Sequence, residues 1–190
     1  DTWAWGAKPA QKQYAAVARA IAEFEPVTMC VNQADYTNAK AMFENDENVT
    51  VIEMTTDDAW VRDTGATWVV NDEGDKRAVH WHFNAYGGFE NGLYFPWDKD
   101  EQIALKMAEM SGCRRYRPES FILEGGSIHV DGEGTVITTD MCLLDPGRNA
   151  SATDYEAWSE ELRAYMDEKL KDYLGVEKVI WVKDGIDPEE

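Results

Sequence analysis

Asp63 opens the stretch DTGATWVVNDEG, and Glu124 opens EGGSIHVDGEG. In each, an acidic residue ends a strand-like run, a glycine stands two places later, a small residue follows, and a further strand leads into an EG turn. Two carboxylates held at strand ends can accept paired hydrogen bonds from a planar cation, and guanidinium is the cation whose geometry matches that arrangement. Trp60, three residues before Asp63, could lay its ring along an alkyl chain or over a cation. Gly65, Gly125 and Gly126 would let backbone approach a ligand closely. Strand, glycine and hairpin turn also recur by coincidence in α/β proteins, so the echo alone leaves a shared structural unit and chance equally open.

Other constellations compete with this pair. Asp63 and Asp58 could be paired with Arg62 in an ion network, the common fate of charged loop residues. His80 and His82 flank Trp81 and project from one face of a strand, as two metal ligands would, but no third ligand of suitable type stands near them in sequence, which favours hydrogen-bonded strand histidines. His129 with Cys142 could form a nucleophile and base, although a free cysteine is more often a small buried hydrophobe. Cys30, Cys113 and Cys142 are odd in number and widely spaced, with no CxxC pair, which argues against a disulfide framework or a zinc site and fits a reducing compartment.

The elements that must hold these groups alternate between helix and strand. Tyr14, Val17, Ile21 and Phe24 recur at helical spacing, so residues 9 to 25 read as an amphipathic helix, and PVTMCV follows as a strand. Residues 33 to 44 read as a second helix and VTVIEM as a second strand. ATWVV and AVHWHF flank NDEGDKR in the pattern of a hairpin. Residues 98 to 111 read as a helix with Ile103, Met107 and Met110 on one side, then FILEGGSIHV and TVITT as strands. A long helix from about 153 to 174 carries Tyr155, Trp158, Leu162, Tyr165, Met166 and Leu170 at core spacing, and VEKVIWV closes as a strand. The absence of a low-complexity linker points to one domain. If the two acidic stretches are copies of one module arranged around an axis, Asp63 and Glu124 face each other across a common cavity.

Four ordered blocks carry a resemblance. DDAWVRDTG at 57 to 65, HFNAYGG at 82 to 88, LEGGSIHVDGEG at 123 to 134 and TTDMCLLDPGRN at 138 to 149 resemble successive signature blocks of the agmatine deiminases, within the peptidylarginine deiminase or guanidine-modifying superfamily. GAKPAQ near the start and the strand before the final KDGID are similar to that family as well. The resemblance implies a partial five-bladed α/β propeller of the pentein type, built of repeated ββαβ units, with residues 1–190 forming a single incomplete domain of somewhat under three blades. It makes Asp63 and Glu124 the carboxylates that grip a substrate guanidinium and places Trp60 along the alkyl amine; Asp57 and Asp58 become candidates for the site mouth or for pairing with Arg62. It puts the nucleophilic cysteine, with a histidine and an aspartate that act with it, outside this chain, in a separate or missing segment. Asp1 in place of a methionine, and the few residues after the final strand, read as cuts through a longer protein.

The chemistry so implied is covalent hydrolysis of agmatine to N-carbamoylputrescine and ammonia, with no cofactor and no metal. The resemblance implies a homo-oligomer as well, with a place in polyamine and putrescine biosynthesis or, as the alternative the sequence leaves open, in ATP-yielding catabolism. Arginine or peptidylarginine is the alternative substrate; a non-catalytic guanidine-binding fragment, or a fragment without independent function, is the alternative to an enzyme. Composition agrees with a soluble cytoplasmic protein that meets small cations. Hydrophobic residues make up 44%, enough for a packed core. Acidic residues outnumber basic ones 37 to 18 for a net charge of −19, which repels nucleic acids and anionic membranes and draws cations toward an acidic cleft. No apolar run approaches the length of a membrane span.

Overall fold

Pro9 sits in the first turn of α1 (Lys8–Ala22), where its missing amide donor costs nothing. The computed structural model describes residues 4–150, 160–183 and 185, which form two compact units, Asp1–Thr56 and Asp57–Glu190. In the first unit, β1 (Val27–Val31) and β2 (Val49–Glu53) pair in parallel, Val27 opposite Val49 and Val31 opposite Glu53. Parallel strands need a crossover, and α2 (Gln33–Met42) supplies it. Ala15, Ala18, Ala39, Phe43, Val49 and Val51 make the core of this unit.

The apolar stripe read from the sequence of α1 does not build that core. Tyr14, Val17, Ile21 and Phe24 are between 41% and 87% exposed, and the helix is buried through Ala15 and Ala18 instead. Small side chains let the helix backbone approach the two-stranded sheet, which leaves the larger residues on the far face.

The second unit repeats one topology. β3 (Thr67–Val70) and β4 (Lys76–Val79) form an antiparallel hairpin, closed where the Asn71 side chain accepts from the Asp75 amide at 2.7 Å. The chain then crosses through α5 (Ile103–Met110) to β5 (Arg114–Tyr116), which lies parallel to β4. Further on, β6 (Ile128–Val130) and β7 (Thr135–Thr139) make the second hairpin, and β8 (Lys178–Val182) returns parallel to β7 after α7 (Glu160–Leu174). Each sheet is therefore a ββαβ unit, and each is preceded by one of the two acidic stretches. That shared topology resolves the sequence echo in favour of a repeated unit and against coincidence.

Two elements are shorter than the sequence suggests. β4 ends at Val79, and His82 makes only an isolated parallel bridge with Ile122. The expected continuous strand FILEGGSIHV is broken at Gly125–Ser127 by one 3-10 turn, because the Ser127 amide and hydroxyl both donate to the Glu124 carbonyl, at 2.9 and 2.6 Å. The main core gathers Val79, Trp81, Phe121, Leu123, Ile128, Val136, Leu143, Leu144, Met166 and Leu170. Met166 and Leu170 of α7 point inward as their spacing suggests, whereas Tyr165 is 44% exposed; Tyr155 and Trp158, and part of the KDGID stretch, lie outside the described residues. On α5 the buried side chains are Ile103, Ala104 and Ala108, with Met110 at 54% exposure. Among the described residues no helix is long and apolar enough to cross a membrane.

Candidate functional site

Asp63 lies in a single turn, α3 (Val61–Thr64), that opens where the Trp60 carbonyl accepts from the amides of Asp63 and Thr64, each at 3.0 Å. This turn presents the Asp63 carboxylate to two donors. The Gly126 amide reaches Oδ1 at 2.8 Å, and the Tyr86 hydroxyl reaches Oδ2 at 2.8 Å. Gly126 is two residues past Glu124, so the two acidic stretches meet at this bond. A Cβ on Gly126 would collide with Asp63 Oδ1, and one on Gly125 would collide with the Arg62 carbonyl. The close approach that the sequence glycines suggested is thus an approach of backbone to backbone and to Asp63.

Glu124 stands at the end of the segment that follows the His82 to Ile122 bridge and is 3% exposed. Arg148 Nε donates to its Oε1 at 2.8 Å. Burial pushes the Glu124 carboxyl above the ordinary carboxylate range, the Arg148 charge and hydrogen bond oppose that rise, and the Asp63 charge adds to it. The Tyr86 hydroxyl is raised far above its ordinary value, by burial first and then by its bond to Asp63 and the charges of Asp63, Glu124 and Asp58. Asp63 and Glu124 are therefore brought into one electrostatic neighbourhood.

The loop that delivers Tyr86 is held in an uncommon conformation. Ala85 and Tyr86 have φ of 56° and 71°, followed by Gly87 and Gly88, also at positive φ, where the single turn α4 (Gly88–Asn91) begins. Left-handed backbone at a non-glycine residue costs on the order of 1 kcal/mol. Asn84 offsets it: its side chain accepts from the Gly87 amide at 3.2 Å and donates to the Gly147 carbonyl at 2.7 Å. Glu101 steadies the entry to this loop, accepting from the Phe83 amide at 2.6 Å.

Trp60, Asp57 and Asp58 form the next layer. Trp60 is 48% exposed, and its indole N–H donates to Asp58 at 3.0 Å. Asp57 pairs with Lys99 at 3.0 Å. The partners of Asp57 and Asp58 are thus Lys99 and Trp60 rather than Arg62. Behind them, the fully buried Asp100 accepts from the amides of Asp57 and Asp58 at 2.7 and 3.0 Å and from the Tyr94 hydroxyl at 2.5 Å. Replacing Asp100 with Ala strands all three donors and is expected to lower stability by about 2 kcal/mol or more. Urea unfolding would read this as a lower midpoint at unchanged slope.

The histidines serve elsewhere. His80 is fully buried, with Nε2 bonded to the Glu101 carbonyl at 2.8 Å and Nδ1 to Arg115 at 2.8 Å. A neutral ring satisfies both contacts by donating from Nε2 and accepting at Nδ1, and burial lowers its basicity accordingly. His82 bonds to Glu101 at 3.0 Å, and Arg117 pairs with the same carboxylate. No group of three or more metal-binding side chains occurs among the described residues. His129 is exposed on β6, while Cys142 lies in α6 (Asp140–Leu143), and no hydrogen bond joins them among the described residues. Burial raises the Cys30 thiol.

Tyr86, Arg148 and Asp100 are the site residues that the sequence did not single out. The first two lie inside the quoted blocks HFNAYGG and TTDMCLLDPGRN, where an Asn followed by paired glycines and a lone arginine after a DPG turn were the available signals. Asp100 carries no local signal. Chemically, two carboxylates, one held by two neutral donors and one by a cation, offer acceptor oxygens that a flat cation could use.

A model of the family described as Porphyromonas-type peptidyl-arginine deiminase matches residues 1–190. Agmatine deiminase from Pseudomonas fluorescens is 53% identical over 190 residues, covering 100% of this chain and 49% of the relative. That from Ectopseudomonas mendocina is 52% identical over 190 residues, with the same coverage. The solved structure of agmatine deiminase of Enterococcus faecalis catalysing its reaction superimposes with a TM-score of 0.88 at 48% identity, covering 100% of this chain and 49% of that one. The chain spans about half the length of the curated relatives it matches.

Proposed function

Because this chain belongs to the Porphyromonas-type peptidyl-arginine deiminase family, we propose that it is the guanidine-gripping part of an agmatine deiminase. The observation that supports the proposal is the approach of Asp63 to the turn that follows Glu124, where the Gly126 amide donates to Asp63, while the charges of both acids act on the Tyr86 hydroxyl. The two ββαβ units are neighbouring blades of a five-bladed α/β propeller, and residues 1–190 are one incomplete domain of it. Asp63 and Glu124 accept hydrogen bonds from the guanidinium and hold its charge where water is scarce, so that the interaction is stronger than in bulk solvent. Trp60 lies along the butyl chain, and Asp57 and Asp58 stand toward the mouth.

A thiolate and a histidine supplied from outside these residues complete the reaction. The thiolate attacks the guanidinium carbon, the tetrahedral adduct expels ammonia as the histidine supplies a proton, and water then cleaves the amidino-thioether to release N-carbamoylputrescine. The enzyme works in the cytoplasm as a homo-oligomer, in polyamine and putrescine synthesis.

Agmatine rather than arginine is favoured by the charges around the clamp. Among the described residues that bond to the site acids, the cations are Arg148 and Lys99, and both are paired with carboxylates. Neither of these two cations is free to serve as a dedicated partner for a substrate carboxylate. Ammonia release by the full-length protein containing these residues is expected to show kcat/KM for agmatine about a hundredfold or more above that for arginine. No ammonia from agmatine ends the enzyme reading; equal rates on the two substrates end the choice of agmatine.

A further inference from the structure

Glu124 is paired with a guanidinium that already belongs to the chain. Glu124 is buried and Arg148 largely so, with side chains 3% and 12% exposed, and the Arg148 Nε to Glu124 Oε1 distance is 2.8 Å. Arg148 Nη1 also reaches Asp145 Oδ1 at 3.4 Å. The residues on either side are pinned. Gly147 donates its amide to Asp145 at 2.8 Å and accepts from Asn84 at 2.7 Å. Asn149 exchanges hydrogen bonds with the backbone of Ile122, accepting at 2.9 Å and donating at 2.7 Å, and also donates to the Leu143 carbonyl at 3.1 Å. One anchor therefore joins Arg148 to the loop carrying Tyr86, and the other joins it to the segment that ends in Glu124. The backbone on both sides of Arg148 is held, and its side chain leaves that anchored stretch toward Glu124.

We infer that Arg148 is a positioning residue: its guanidinium aims the Glu124 side chain and keeps that buried carboxylate ionised, so that Glu124 meets the substrate guanidinium as an anion. This deepens the proposed function and rests on it. A protonated Glu124 would turn one acceptor into an O–H donor, facing a ligand that has only donors to offer. The charges acting on Glu124 include those of Arg148 and Asp63, and Tyr86 is within reach of the Glu124 charge; those acting on Arg148 include Glu124, Asp145 and Cys142. Of the charges on Glu124, Asp63 drives its carboxyl toward the neutral form, as burial does, and Arg148 opposes both. Asp63, Glu124 and Asp145 together outnumber Arg148, so a cationic substrate is still attracted to the cluster.

The test is the pH profile of agmatine hydrolysis by the full-length protein. In Arg148→Gln, kcat/KM is expected to fall about tenfold or more at neutral pH and to recover as pH rises, because the acid limb moves up by about one unit or more once a buried carboxyl loses its counter-charge. The loss falls mainly on KM. Arg148→Lys, which keeps the positive charge, returns the limb toward its original position, and adding Glu124→Gln to Arg148→Gln removes the shifted limb. Arg148→Met serves the same comparison if the Gln variant does not fold. A loss of equal size at every pH, or no loss, with an active unchanged protein overturns this inference alone. An unchanged protein that releases no ammonia from agmatine removes the proposed function and this inference with it.

Discussion

Asp63→Asn in the full-length protein is expected to reduce kcat/KM for agmatine by about two to three orders of magnitude, the range that follows loss of one preorganised electrostatic contact at a reacting group. The substitution keeps the size of the side chain, and Oδ1 can still accept from the Gly126 amide. What disappears is the negative charge, together with the acceptor that Tyr86 now uses. The Asn side chain would turn an N–H toward either the Tyr86 hydroxyl or the incoming guanidinium, and a guanidinium has only donors. Because Asp63 is half-buried in a single helical turn rather than in the core, the unfolding midpoint should move by no more than a few degrees. A variant that keeps near-normal turnover would remove Asp63 from the substrate clamp, whatever happened to its stability.

Gly125→Ala should be nearly as damaging by another route. The added Cβ would run into the Arg62 carbonyl, which is backbone and cannot rotate aside as a side-chain tip can. The turn carrying Asp63 must then separate from the turn following Glu124. Overpacking of this kind costs about 1 to 3 kcal/mol of stability, and a displacement of about 1 Å at a positioning group can cost about a hundredfold in rate. The expected result is a loss of kcat/KM of about a hundredfold together with a lower melting temperature. Trimming the Arg62 side chain would not relieve the clash, since the atoms met first belong to its backbone. Full activity in Gly125→Ala would mean that the two turns can move apart without consequence, and that the clamp is not set by their contact.

The recurrence around Asp63 and Glu124 was readable in the sequence because it is local: acid, glycine, small residue, strand and turn fall within about a dozen positions each time. The same locality made the hairpins at residues 71–75 and 131–134 legible, since Asn71 and Asp131 bond to amides a few residues away. Partners that come from distant positions left no such mark. Tyr86 reaches Asp63 across 23 positions, Arg148 reaches Glu124 across 24, and Asp100 accepts from Asp57 and Asp58 across 43 and 42. A pairing of that kind depends on how the sheets bring segments together, and no periodicity encodes it. Helix α1 shows the complementary limit. Spacing correctly gave a helix with an apolar face, yet periodicity records amphipathy without saying which face is covered, and alanine at positions 15 and 18 decided the packing.

Tyr86 and Gly126 each hold one oxygen of Asp63. The rotational freedom of that carboxylate is surrendered when the chain folds, not when a guest arrives, so association carries no further entropic penalty for arresting it. The positive-φ run at Ala85–Gly88 is the counterpart of that advantage: a small conformational strain accepted on folding holds the Tyr86 hydroxyl where it fixes the Asp63 carboxylate.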